Sequence, residues 1–174
     1  KDAFSYNERG FAYMNLGETK LAIQDFQQAI RLEPDDSIAF NNLSWAWNRL
    51  AEYDKSIEAA NQSIAITADN ATVYGNRAQA WLAIGEKDKA LSDFTRAVEL
   101  EPKSVLNRTD RSWCYREREE YDLALADAEE ALKLDPKSPA ALIARGKVFK
   151  AQGKYALAKA AYETALQNHP NHND

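Results

Sequence analysis

The sequence predicts an all-α fold, ten helices paired into five hairpins, on three observations. Small and aromatic residues recur every 34 residues over nearly the whole chain. Within each period the apolar residues fall at helical spacing with polar residues between them, as in Ala22-Ile23, Phe26 and Ala29-Ile30. Gly17, Gly85 and Gly153 stand where a first helix would end, and Pro34, Pro102, Pro136 and Pro170 close the second.

Counting by this period divides the chain into residues 3–36, 37–70, 71–104, 105–138 and 139–172 without insertion. The first helix of each unit carries a small residue, Gly10, Ser44, Ala78, Ser112 or Gly146. Three places later comes an aromatic, Tyr13, Trp47, Trp81, Tyr115 or Phe149. A close helix crossing needs a residue without bulk, so the ring one turn on is expected to fill the space beside it as core. The second helix repeats as Ala90-Leu91, Phe94, Ala97-Val98 and as Ala158, Tyr162, Ala165-Leu166. Two units depart from the pattern. In the second, Ser56, Ala60, Ser63 and Ala68 predict looser packing; in the fourth, Arg108 takes an aromatic place and Glu119 that of the turn glycine. Arg9 with Asp25, Arg77 with Asp93 and Arg111 with Asp127 occupy one pair of places, where the second unit has Leu43 and Ala59 and the fifth Arg145 and Ala161. This predicts an ion pair between the two helices of a hairpin, which at an exposed site contributes at most about 1 kcal/mol.

The unit Ala71–Ser104 is the fullest expression of the pattern, with Tyr74, Ala78, Trp81, Ala90, Phe94, Ala97 and Pro102. On these residues the chain resembles the tetratricopeptide repeat (TPR) family over residues 3–172. The resemblance implies a single TPR domain followed by a polar tail at 173–174. It also implies ten antiparallel helices stacked into a right-handed alpha-alpha superhelix, a TPR solenoid, with first helices on the concave face and second helices on the convex face. In such a solenoid each unit touches only its neighbours.

Composition narrows the function classes. The 174 residues are 45% hydrophobic and 28% charged, enough to bury a core without metal or disulfide. Cys114 is the one cysteine, and its helical setting predicts a buried small residue in a reducing, cytoplasmic compartment. No apolar run reaches the roughly 20 residues needed to span a bilayer. The chain begins at Lys1 rather than methionine, as expected of a processed or partial chain. His169 and His172 lie in a polar tail without metal-ligand spacing, the carboxylates fall on solvated helix faces, and no phosphate-binding glycine motif occurs. Glycosylation-type triplets at Asn42, Asn61, Asn70 and Asn107 are mostly in helical stretches and read as chance. The expectation is therefore no catalytic residue, no cofactor and no metal. A net charge of −5 with a pI near 5.2 argues against nucleic acid.

By the resemblance, places two, five, six, nine, twelve and thirteen of each unit face the concave groove. Place nine holds Phe11, Trp45, Gln79, Trp113 and Lys147, an aromatic row on a face that water would otherwise wet. Asn7, Asn41, Asn42 and Asn76 offer amides that suit an extended peptide backbone, as groove asparagines at place six do in the family. Arg49, Arg116, Lys147 and Lys150 complete the candidate set. No window supplies the family's two-carboxylate clamp for chaperone C-termini. The units carry formal charges of −3, −2, 0, −3 and +4, so an acidic segment of a ligand is expected near the fifth. The function these features predict is a non-enzymatic scaffold or adaptor that holds an extended peptide or helix of a partner protein. The alternatives are a substrate-recruiting arm of a larger enzyme and a self-association module. The last helix keeps Leu157, Ala161 and Leu166 with nothing after it to cover them, which predicts further repeats, or a homo-oligomeric contact at this end.

Overall fold

A computed structural model describes residues 2–168. It contains α1 (Ala3–Asn15), α2 (Thr19–Leu32), α3 (Ser37–Arg49), α4 (Tyr53–Ile66), α5 (Ala71–Ala83), α6 (Lys87–Leu100), α7 (Val105–Glu117), α8 (Tyr121–Leu134), α9 (Pro139–Ala151) and α10 (Tyr155–Asn168). Among the described residues there is no strand. The first helices begin at Ala3, Ser37, Ala71, Val105 and Pro139, steps of 34. His169, Pro170 and His172 lie outside the described residues.

Two compact units divide the chain, Lys1–Asp93 and Phe94–Asp174, the boundary falling inside α6. In the first, α1 packs on α2 and α3 on α4, while α2 meets α3, α4 meets α5, and α3 touches α1 and α5. In the second, α7 packs on α8 and α9 on α10, with α8 and α7 both against α9. Short connections between packed neighbours are what antiparallel hairpins require.

Each first helix is opened by the residue just before it. Asp2, Asp36, Asn70, Ser104 and Ser138 accept from the backbone N–H of Ser5, Ile38 and Ala39, Thr72, Asn107 and Ala141. These oxygens satisfy donors that a helix start leaves unpaired, which is why Asp, Asn and Ser recur there. Each first helix also ends the same way. Gly17, Gly85 and Gly153 adopt positive φ, and so do Ala51 (57°) and Glu119 (63°) at the same place in the second and fourth units. The turn is thus kept where glycine is absent, against the clash a Cβ meets in that region.

The core corrects one expectation about the small residues. The space beside Gly10 is filled by Phe26 of α2, and that beside Gly146 by Tyr162 of α10; a Cβ on either glycine would lie 2.6 Å from the ring. Phe26 and Phe94 are fully buried, each contributing roughly 1.5–3 kcal/mol by transfer from water. The row Tyr13, Trp47, Trp81, Tyr115 and Phe149 is only half-buried. Cations cover four of its rings: Arg9 over Tyr13, Lys55 over Trp47 at 4.6 Å, Lys89 over Trp81 at 4.5 Å and Arg111 over Tyr115. Amphipathic rings with a cation lid belong at the edge of a core, not its centre. In the second unit, where Ala60 replaces the ring, Ser44 and Ser56 hydroxyls pair at 2.9 Å and Ser63 donates to the carbonyl of Ser37. Polar bonds there take the place of aromatic packing.

All three ion pairs form within hairpins and are bidentate: Arg9 with Asp25 at 2.6 and 2.7 Å, Arg77 with Asp93 at 2.8 Å twice, Arg111 with Asp127 at 2.7 and 2.8 Å. They are not the exposed pairs the sequence suggested, because each aspartate is buried. Arg108, the residue in the aromatic place, lies 3.6 Å from Asp127 as a second cation. The hydrogen bonds that Arg111 donates to Asp127 raise its pKa above the ordinary arginine value, so the guanidinium keeps its charge. Cys114 is buried, as expected. No described helix is long and apolar enough to cross a membrane.

Candidate functional site

The asparagines of the first helices bond to one another. Asn42 Nδ2 donates to Asn7 Oδ1, joining α3 to α1, and Asn76 Nδ2 donates to Asn41 Oδ1, joining α5 to α3, both at 3.0 Å. Asn48 of α3 donates to the main-chain oxygen of Asn76 at 2.7 Å. Asn7, Asn41 and Asn76 are buried and Asn42 half-buried. These side chains carry a bridge between neighbouring first helices, and only part of their capacity faces solvent. Met14 and Leu82, at place twelve, are buried too and line no open surface.

The aromatic row divides. Phe11 is 46% exposed, and Trp45 is half-buried against it, the centroids 5.9 Å apart and the planes tilted by 42°. Trp45 also packs on the cluster of Met14, Ile23, Phe26 and Leu43, so much of its ring belongs to the core. Arg49, exposed, shares α3 with Trp45, and Gln79, half-buried, stands on α5.

Trp113 is the more open tryptophan, 37% exposed, resting on buried Phe94 at 6.5 Å. Its indole N–H donates to Glu117 Oε1 at 3.2 Å, and the same oxygen accepts from Arg116 at 2.7 Å. One carboxylate thus orients both the ring and the guanidinium. Glu117, at place thirteen of the fourth unit, is one of the positions the resemblance turns to the groove, and its place four residues after Trp113 on one helix is the signal that couples the two.

Trp113 and Arg116 of α7 and Lys147 of α9 line one cleft of about 320 Å³ with Thr109, Asp110 and Ile143. Lys147 and Lys150 are exposed. The arrangement offers an apolar wall, an oriented indole and cations on one rim, the components of a side-chain recognition site. A second cleft, of about 480 Å³, lies beside Leu43 and Ala59, which take the place of the interhelix ion pair of the first, third and fourth units; Phe40, Trp47 and Lys55 line it. Among the described residues no group of three or more His, Cys, Asp or Glu could hold a metal.

An all-α array of capped helical hairpins, with amide bridges joining α1 to α3 and α3 to α5, defines a repeat protein. The tetratricopeptide repeat profiles match residues 3–36, 71–104 and 109–173, and the chain belongs to the tetratricopeptide repeat family. No curated protein matches it in sequence. Among solved structures it is similar to a thermophilic TPR protein of Thermus thermophilus, at 23% identity over 98% of this chain and 93% of that one, with a TM-score of 0.87. It is also similar to the MamA protein, at 18% identity over 97% and 92% of the two chains and a TM-score of 0.75. YrrB, a TPR protein with an unusual peptide-binding site, matches at 18% identity over 98% and 88%, with a TM-score of 0.70. At these identities the likeness is one of fold.

Proposed function

We propose that this chain is a non-catalytic scaffold, its repeats at 3–172 acting as one domain that holds an extended peptide or a helix of a partner protein on the first-helix face. The observation that carries this reading is the cleft between α7 and α9, where an exposed indole, an apolar wall and Lys147 converge. Phe11 and Trp45 offer a second apolar contact on α1 and α3, with Arg49 and Gln79 beside them on the first-helix face. Asn7, Asn41, Asn42 and Asn76 support the surface by bridging its helices more than by offering amides to a ligand. Lys147 and Lys150 favour an acidic segment at the fifth unit. A reducing, cytoplasmic setting accords with one buried cysteine.

The test is affinity capture from the source proteome with wild-type chain and with a Trp113→Ala/Lys147→Glu variant whose helical circular dichroism is unchanged. A partner retained by wild type and lost from the variant supports the reading. Equal retention by both sinks it. A scaffold reading also predicts a monomer across concentrations in sedimentation, whereas self-association through α10 predicts a concentration-dependent mass.

A further inference from the structure

Between α7 and α9 the amide bridge seen between α1 and α3 and between α3 and α5 is missing, and its loss there coincides with a cavity. Asn7 with Asn42 and Asn41 with Asn76 stand 35 residues apart, place five of one unit reaching place six of the next. Between α7 and α9 those places hold Thr109 and Ala144. Ala144 has no polar side-chain atom, and Thr109 turns its hydroxyl back to the carbonyl of Leu106 at 2.9 Å. Both residues line the 320 Å³ cleft, so space that an amide pair would occupy is left open to solvent.

We infer that this cleft is a side-chain pocket for a peptide in which an aliphatic residue is followed by a carboxylate, an inference that rests on the peptide-binding reading above. Its volume is at the small end of ligand pockets, roughly 300–1,000 Å³, which suits one or two side chains and not the whole face of a helix. The aliphatic group enters between Thr109 and Ala144, against Trp113, Ile143 and Ala140. Charge sets the direction of the peptide. Asp110 on the α7 wall disfavours a second carboxylate there, and Arg116 of the same wall is already bonded to Glu117. Lys147 on the α9 wall is exposed, with Lys150 close to one turn further on, so the acidic group of the ligand is taken on that side. Glu117 holds the indole in place before the ligand arrives, so ordering the ring adds little to the unfavourable entropy of binding.

The experiment follows the indole N–H resonances of the four tryptophans in ¹⁵N-labelled protein, with the Trp113 peak assigned by its loss in Trp113→Phe. The probe is the hexapeptide GSLEGS, acetylated and amidated, beside counterparts with Ala for Leu and with Gln for Glu. The expected result is a saturable shift of the Trp113 peak, weakened about tenfold by either change in the peptide. Thr109→Asn/Ala144→Asn, which rebuilds the amide bridge, should weaken the probe at least as much while leaving the helical circular dichroism intact. Should that double variant fail to fold, Lys147→Glu at an exposed position tests the charge: it should weaken the Glu peptide and spare the Gln peptide. Undiminished binding to the Asn/Asn variant, equal binding of the Glu and Gln peptides, or a shift confined to the Trp45 peak overturns the pocket while leaving the first-helix face as a peptide surface. Absence of any shift at millimolar probe also overturns it; the capture experiment then decides independently whether the broader reading stands.

Discussion

Asn76 donates from Nδ2 to Oδ1 of Asn41 across 3.0 Å, two buried amides from different repeats. Truncating one partner strands the other away from water, a loss of roughly 1–3 kcal/mol. Asn76→Ala should therefore lower stability by about 2 kcal/mol in urea unfolding. Asn42→Ala, at a half-buried bridge, should lose less. If Asn76 served only to hold a ligand, its removal would leave the unfolding midpoint unchanged.

Arg77 and Asp93 test the ion pairs, because the second unit already contains the apolar alternative, Leu43 with Ala59. Arg77→Leu alone leaves a buried carboxylate without its bidentate partner and should destabilise by about 2 kcal/mol, since the guanidinium is partly exposed and the full penalty for a buried pair, roughly 3–5 kcal/mol, is not reached. Arg77→Leu/Asp93→Ala should recover most of that loss. A double-mutant cycle in urea measures the coupling, and strict additivity of the two single changes would contradict the proposed role.

The fifth unit has half of this pair. Arg145 keeps the arginine of the pair while Ala161 stands where the first, third and fourth units have aspartate, and its Nε is buried with no hydrogen-bond partner. Arg145→Leu recreates the Leu43–Ala59 arrangement and removes an unsatisfied donor. It should raise stability by about 1 kcal/mol in thermal or urea unfolding. A loss of similar size would mean that the aliphatic stem and charge of Arg145 contribute more than the stranded Nε subtracts.

How much of this was legible in the sequence follows from the range of each signal. The helix boundaries could be read because turns are local: Gly17, Gly85 and Gly153 mark them, and the capping residues Asp2, Asp36, Asn70, Ser104 and Ser138, though unused as signals, stand just before each first helix. The ion pairs were legible because three copies of one two-place correlation lie within single hairpins. The asparagine bridges were not, since they link different places of adjacent units, offset by one residue from the period. Met14 and Leu82 passed for groove residues because place number alone does not say how far a helix face turns into the core. Trp45 and Trp113 read as equals in sequence, and only their neighbours separate them.

Glu119 and Ala51 hold the left-handed turn at φ 63° and 57° without being glycine. A side chain in this region is unfavourable by roughly 1 kcal/mol or more, while glycine loses more backbone entropy on folding, so the net gain from substitution is smaller. Glu119→Gly and Ala51→Gly should each stabilise by about 0.5 kcal/mol. The reverse change, Gly85→Ala, should destabilise by about 1 kcal/mol. Calorimetric melting of the three variants checks the signs, and stabilisation by Gly85→Ala would refute the account.

Gly10 and Gly75 make opposite predictions from one substitution. Both lie inside first helices, where alanine is favoured over glycine by roughly 1 kcal/mol. At Gly75 a Cβ meets nothing within 4 Å, so Gly75→Ala should gain close to that amount. At Gly10 the Cβ would lie 2.6 Å from Phe26 Cε1 and 2.8 Å from its Cδ1, and the ring is fully buried and has no room to withdraw. Overpacking a close-packed core by one carbon loses roughly 1–3 kcal/mol, which exceeds the propensity gain. Gly10→Ala should therefore destabilise by about 1 kcal/mol net, and the decisive measurement is its combination with Phe26→Leu. If steric conflict with the ring is the cause, Gly10→Ala should become stabilising in the Phe26→Leu background, because the smaller side chain leaves the space the methyl group needs. An unchanged penalty in that background would place the strain elsewhere in the α1–α2 hairpin.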